Sequence, residues 1–562
     1  MGDTARASAR RTVQAALAVL LAAGVLAVFG PTTGHGFVGF DDERYVLNNR
    51  ALHGGLDGEA WRMAWTRAEF SNWHPLTWLS FALDVELHGL DPAGFHATNV
   101  ALHLLNTLLV FALLAGATGA VWPAAGVAAL FAWHPLHVEP VAWISERKEL
   151  LAALFGLLAS GAYLGWARRG GALRYAAVAL CLTASLLAKP MWVTLPLLLL
   201  ALDHWPLGRL AEDPRARLRE KAPLFALSLL AAGVTLAVQQ PAIATGAAVG
   251  LGDRLANAAV SSVRYLAEVF RPAPYSILRP HPALPGGAGF DTAGVLGSLL
   301  ALVLLVWGAW RLRARAWVPA GLAWFAVALL PVIGLVQVGE QAMADRYTYV
   351  ALLGPFWILA FGARDVHAAL RARTPGGAAA FAAGLAAALV GLAFASAERA
   401  QAFRDTITLY ERSLAATPNS PTLHFNLGNR LLATGRDADA LPRYEAALRL
   451  RPGWDPAMQS LAWLLATSGD AALRDPSRAL ALATDVVAAA SPADPNALDT
   501  LAAAQAASGD LTAAAVTAGR AADAARARGH PASARAYDAR RRLYESGRAY
   551  VRAGSTRNST VR

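Results

Sequence analysis

The stretch LYERSLAATPNSPTLHFNLGNRLLATGRDADALPRYEAALRLRPGWDPAMQSLAWLLATSG, residues 409–469, overlays itself when shifted by 34 positions. Tyr410 then meets Tyr444, Leu414 meets Leu448, Pro418 meets Pro452, Leu427 meets Leu461 and Gly435 meets Gly469. Five positions at one offset leave little room for coincidence. A 34-residue unit of helix, turn and helix is the tetratricopeptide (TPR) spacing. One hairpin cannot bury its own apolar face, so copies stack into a solenoid. A third copy follows 40 residues on, through Pro492, Leu501 and Gly509, with the extra residues near AALRDPS. The expectation is a TPR domain of about three repeats over 397–550, with a groove for a peptide or protein partner, and a flexible tail at 551–562. A packing or dimerisation role for the same module is the blander alternative.

Upstream of this array the composition changes. Of the 562 residues 56% are hydrophobic and only 16% are charged. That is too apolar for a soluble chain of this size and suits a polytopic membrane protein. A net charge of +11 invites a nucleic-acid reading. It is set aside, because the arginines lie in short clusters between apolar runs. Scarce lysine with abundant alanine, glycine and arginine matches a G+C-rich bacterial genome. The single cysteine, Cys181, excludes an intrachain disulfide and a cysteine-based metal site.

The apolar run 12–29 follows Arg6, Arg10 and Arg11. It is long for a signal peptide and lacks a clean cleavage site, so it reads as an uncleaved first transmembrane helix. Ten further runs lie near 98–115, 121–135, 149–167, 172–188, 191–203, 222–239, 293–310, 317–336, 347–363 and 377–395. They give about eleven spans within 1–396. The pair 172–203 is the hardest to divide, since AKPMWVTLP leaves little room for a turn. With the N-terminus inside, four basic clusters all fall on the cytoplasmic side, as the positive-inside rule expects. These are Arg168/Arg169/Arg174, Arg209 to Lys221, Arg311/Arg313/Arg315 and Arg364/Arg371/Arg373. The expected setting is a bacterial inner membrane, with 30–97, 135–148, 240–292, 337–346 and the repeats outside. The segment 255–271 reads as an amphipathic helix lying on the outer surface.

Three of these outer segments hold charges. GHGFVGFDDERYVLNNR, residues 34–50, carries Asp41 and Asp42 just past the first span. FAWHPLHVEPVAWISERKELLA carries His134, His137, Glu139, Glu146, Arg147 and Lys148. VGEQAMADRYTY carries Glu340, Asp345 and Arg346. A lone acidic pair is usually a solvated turn. Charges near bilayer depth, however, need partners, and three clusters on one face suggest one polar site. HPLH is only half a zinc-ligand set, so His134 and His137 read as helix-end or acid-orienting residues.

Asp-Asp after the first span, NWHPLTWLSFALD, HPLHVEPVAWISERKELLA, KPMWVTLP, QVGEQAMADRYTYV and a TPR tail, in that order, resemble one family. It is the transmembrane-and-TPR-repeat proteins, whose eukaryotic members are protein O-mannosyltransferases of the GT-C glycosyltransferase superfamily. WISERK stands where eukaryotic members have a shorter Gly-Arg-Ala/Asp motif, and the TPR array is shorter here. The resemblance implies an all-α fold, a GT-C-like membrane helix bundle followed by a TPR α-solenoid. It implies inverting transfer of a sugar, mannose in the eukaryotic members, from a polyprenyl-phosphate donor to a hydroxyl of an extracytoplasmic protein. A lipid or surface-polysaccharide acceptor, or a non-catalytic TPR scaffold, is the alternative. Asp41 or Asp42, with Asp41 preferred, would be the general base. Arg147, Lys148 and Arg346 would hold the donor phosphate. Glu139 and Glu340, with His134 and His137, would orient them. Nothing in this chemistry demands a cofactor, although Asp41 and Asp42 together could hold a divalent metal. The expected partners are the lipid-linked donor, a protein and the bilayer, not nucleic acid.

Overall fold

The structure, a computed structural model, describes residues 2–240, 243, 249–284, 287–489 and 494–552. Pro492 of the third repeat and all but 551–552 of the expected tail lie outside them. The chain divides into two compact units, Met1–Leu409 and Tyr410–Arg562. Both are helical, as expected. Among the described residues the only sheet is a two-stranded antiparallel pair, Arg279–Pro280 with Gln341–Met343.

Each of the eleven apolar runs coincides with a helix in the first unit. Five are long and apolar enough to cross a membrane: Ser8–Gly34, Pro92–Thr118, Ile144–Arg169, Thr292–Arg311 and Gly376–Phe403. A sixth, Asp345–Ala351 with Leu353–Arg373, is bent by 55° at its break. Five shorter apolar helices complete the set, including Ala172–Ala188 and Pro190–His204. Lys189 alone separates that last pair, because Pro190 cannot extend the preceding helix. No residue of Thr292–Arg311 is fully buried within the protein, as suits a lipid-facing helix. Leu296, Val303 and Val306 are all exposed along it. The amphipathic segment expected at 255–271 is the helix Leu251–Glu268.

Where helices touch, small residues let their backbones approach. A Cβ on Gly354 would overlap the carbonyl oxygen of Gly321, and one on Gly156 would overlap the Trp192 ring. Residues 35–88 form a folded cap that shares its core with the helices below. Tyr45, Leu52, Met63, Trp78, Phe81 and Phe95 close around Ile144.

In the second unit, helical hairpins begin at Pro421, Asp455 and Pro495. These starts reproduce the offsets of 34 and 40 residues. The added turn is the short helix Ala471–Leu473, inside AALRDPS. The starts were readable: Ser420 and Asp494 cap backbone N–H groups, each with proline at the next position. Alanine dominates the packing. Ala502, Ala506, Ala514 and Ala518 pack with Tyr544, and Ala521, Ala522, Ala525 and Ala534 pack with Leu498 and Tyr537.

Candidate functional site

The connection after the helix Val121–Trp133 was expected to be an outer-face loop contributing to one polar site. It is three short helical pieces, Pro135–His137, Val138–Ala142 and Ile144–Glu146, buried from Pro135 through Glu146. Pro135 opens the first piece and Pro140 lies inside the second, and the two histidines bond main-chain groups. His134 Nε2–H donates to Val269 O (3.0 Å) while its Nδ1 accepts from Leu136 N (3.2 Å). His137 Nδ1–H donates to Phe131 O (2.8 Å). Burial lowers His134 to about 4 and His137 to about 3, so both are neutral near pH 7.

The two acids of the first loop differ sharply. Asp42 is buried. Its Oδ1 accepts from Ser145 N (2.9 Å) and from the Ser145 hydroxyl, and its Oδ2 accepts from Val38 N (3.0 Å). It thereby fastens the loop to the turn that carries Glu146. Burial raises Asp42 to about 7, against the pull of those three donors. Asp41 is partly exposed. No hydrogen bond or ion pair engages its carboxylate among the described residues. Burial raises it, while Lys148 and Arg346 pull it down and Glu146 pushes it up. The loop is also stitched to the segment after the helix Pro375–Ala400. Gly36 N donates to Arg404 O (3.0 Å) and Gly39 N to the Thr406 hydroxyl (2.8 Å).

Beside Asp41, Glu146 is a hub. Its Oε1 pairs with Lys148 (3.1 Å) and Arg346 Nε (3.6 Å), and its Oε2 pairs with Lys189 (3.1 Å). Lys189 also pairs with Glu149 (2.9 Å), and Arg346 pairs with Glu139. Aromatic faces wall the cations. Lys148 lies over Tyr45 (4.7 Å) and Trp143 (5.7 Å), and Arg346 over Trp143 (5.6 Å) and Tyr347 (5.1 Å).

Arg147 is not in this group. Its Nη2 pairs with Asp84 (2.6 Å) and donates to Phe95 O (2.8 Å), its Nη1 donates to Ser80 (2.9 Å), and its Nε donates to Asn99. Its side chain is 0% exposed, whereas those of Lys148, Lys189 and Arg346 are 8%, 12% and 12% exposed. Only the latter three reach the surface of the site. Lys189 was not among the expected site residues, although a lysine stranded between two apolar runs is itself a signal. Asp345, next to Arg346, is held by Arg399 (2.7 Å) and Arg279 (3.0 Å). Glu340 sits at the turn before Gln341–Met343, its carbonyl accepting from His281 N (2.7 Å). The cluster thus offers one carboxylate with open lone pairs near Lys148 and Arg346, an arrangement able to accept a proton next to an anion.

No family model and no solved structure matches the chain. The chain is similar to Protein O-mannosyl-transferase Tmtc2 of Drosophila melanogaster, 34% identical over 202 residues, covering 34% of this chain and 21% of that protein. It is 38% identical to Protein O-mannosyl-transferase Tmtc1 of the same organism over 148 residues, 24% of this chain and 16% of the relative. It is 35% identical to Protein O-mannosyl-transferase TMTC4 of Mus musculus over 148 residues, 23% and 20% of the two chains. The match therefore spans about a fifth of the length of these relatives.

Proposed function

We propose that the protein is a membrane glycosyltransferase that moves a sugar from a polyprenyl-phosphate donor to a hydroxyl of an extracytoplasmic protein. Mannose is the sugar suggested by the relatives' names. The observation that carries the reading is Asp41 itself, an unbonded carboxylate that feels the charges of Lys148 and Arg346. Inverting transfer needs a base at the acceptor hydroxyl as oxygen attacks the anomeric carbon. It also needs fixed positive charge at the phosphate, which gains charge as it leaves. Asp41 is the base in this reading, and Lys148 and Arg346 receive the phosphate, with Lys189 behind them. Asp42 positions Asp41 by tying its loop to Ser145. Glu139 and Glu146 orient the cations. The site needs no divalent metal for these roles. In this reading Asp41 faces the outside of a bacterial inner membrane, and the N-terminus faces the cytoplasm.

The test is transfer from a synthetic polyprenyl-phosphate sugar by purified protein in detergent. Asp41→Asn is nearly isosteric and should lower turnover by ~10²–10⁴-fold, the usual contribution of a general base. Donor binding should be retained. Arg346→Ala should instead weaken donor binding. Wild-type transfer by Asp41→Asn would remove the base from the mechanism.

A further inference from the structure

Past the last helix of the second unit, Pro531–Glu545, the chain turns at Gly547 (φ +81°) and runs without helix through Arg552. This strap lies against the solenoid's own helices. Tyr550 packs on Trp463 (5.8 Å between centroids) and takes the Arg540 guanidinium over its ring (5.4 Å). Arg552 N donates to Thr467 O (2.8 Å), its Nη1 donates to Leu432 O (3.2 Å), and its Nη2 pairs with Asp437 (2.5 Å). Val551, between them, is 42% exposed. Tyr550 and Arg552 therefore face the solenoid while Val551 faces out.

The strap does not fill the groove. A cavity of about 400 Å³ continues beside it, lined in part by Leu432, Trp463 and Arg540, which the strap also touches. Asn496 and Thr500 add polar groups to its wall. Arg540 is fixed there by its pairing with Asp499 (2.7 Å).

We propose that this groove is a docking site for an extended polypeptide carrying an aromatic residue two positions before an arginine, and that Tyr550-Val551-Arg552 occupies it in cis. The aromatic residue stacks on Trp463 under Arg540. The arginine reaches Asp437, and the partner's main chain bonds Thr467 O. The Leu432 carbonyl oxygen and the Asp437 carboxylate, met by the two Nη atoms of one guanidinium, make the arginine end selective for a planar donor over lysine. A partner must displace the strap, so its apparent affinity is reduced by the fraction of time the groove is open. This inference does not depend on the transferase reading.

The probe is a fluorescein-labelled peptide of residues 546–552, Ser-Gly-Arg-Ala-Tyr-Val-Arg, added to the full chain in detergent. It should bind the Tyr550→Ala/Arg552→Ala variant at least about tenfold more tightly than wild type, because the strap no longer competes. A peptide with alanine in place of its tyrosine and last arginine should bind neither. Adding Asp437→Asn to the double variant should abolish binding of the original peptide. Equal affinity for both chains, or equal affinity of both peptides, overturns the proposal. Should the double variant not fold, wild type gives the answer through amide exchange of residues 548–552. Excess peptide should speed exchange there, and unchanged exchange overturns the proposal equally.

Discussion

Asp41 and Asp42 are neighbours with opposite surroundings, and titration should tell them apart. A base must be ionised, so transfer should fall as pH drops through the raised value of Asp41. The acid limb of the pH–rate profile should lie above the ~4 of an ordinary carboxylate. Being adjacent, the two acids will titrate as a pair. Asp42 bears on stability. Its folded value of about 7 exceeds its unfolded one, so the native state binds the extra proton between them. Stability from this group is full below ~4 and declines as pH rises towards 7. Thermal melts in detergent from pH 4.5 to 7.5 should show that decline in wild type and a shallower one in Asp42→Asn. Arg147 and Arg346 should also separate. Arg147→Ala strands the buried Asp84 charge, a loss of roughly 3–5 kcal/mol. It should show as a lower melting temperature rather than weaker donor binding. The sequence could not make that distinction. Arg147 and Lys148 are adjacent on one helix, about 100° apart around its axis, so they face different surroundings. Which one faces the site depends on Asp84 and Asn99, which lie far away in the chain.

The apolar helices and the repeat hairpins followed from apolar run length and repeat period, whereas helices such as Gly58–Thr66 and Pro75–His88 did not. Burial of 135–146 was not legible either. HPLHVEPVAWISER has the charges and prolines of a surface turn. Partners distant in the chain hold it inside: Asp42 at Ser145, Arg346 at Glu139, Asn99 at Val141 and Trp143, and Val269 at His134. Helix contacts made by glycine were equally silent, because a glycine in an apolar run does not announce its partner. Gly354→Ala would force the helices Trp317–Leu329 and Leu353–Arg373 apart at Gly321. Overpacking of this kind costs about 1–3 kcal/mol. Gly428→Ala in the solenoid meets the Tyr444 ring at 2.8 Å and should cost a similar amount. Detergent melts should register both, and Gly233→Ala, where nothing lies within 4 Å, is the control.

Across the whole molecule, polar side chains gather at both ends of Ile144–Arg169. Glu146 and Lys148 begin it, and Tyr163 near its other end joins Asp203 and Lys221 through hydrogen bonds and an ion pair. From Lys148 to Tyr163 the helix rises roughly 22 Å at 1.5 Å per residue. Arg168, Arg169 and Arg174 follow the second end, which the positive-inside rule assigns to the cytoplasm. In a Cys181→Ala background, cysteine at Asp523, whose side chain is 78% exposed, should react with an impermeant thiol reagent in intact spheroplasts. Cysteine at Arg215 should react only after lysis. The reverse pattern would invert the orientation and move Asp41 to the inside.

Glu146 has a consequence for the resting protein. Its two oxygens sit where Lys148, Lys189 and Arg346 converge, much as the oxygens of an oxyanion would. It is a built-in counter-ion, offsetting the mutual repulsion of three cations. Glu146→Gln would leave them short of one negative charge. That variant should recruit its replacement from solution. Added inorganic phosphate should raise its melting temperature by several degrees while barely moving that of wild type.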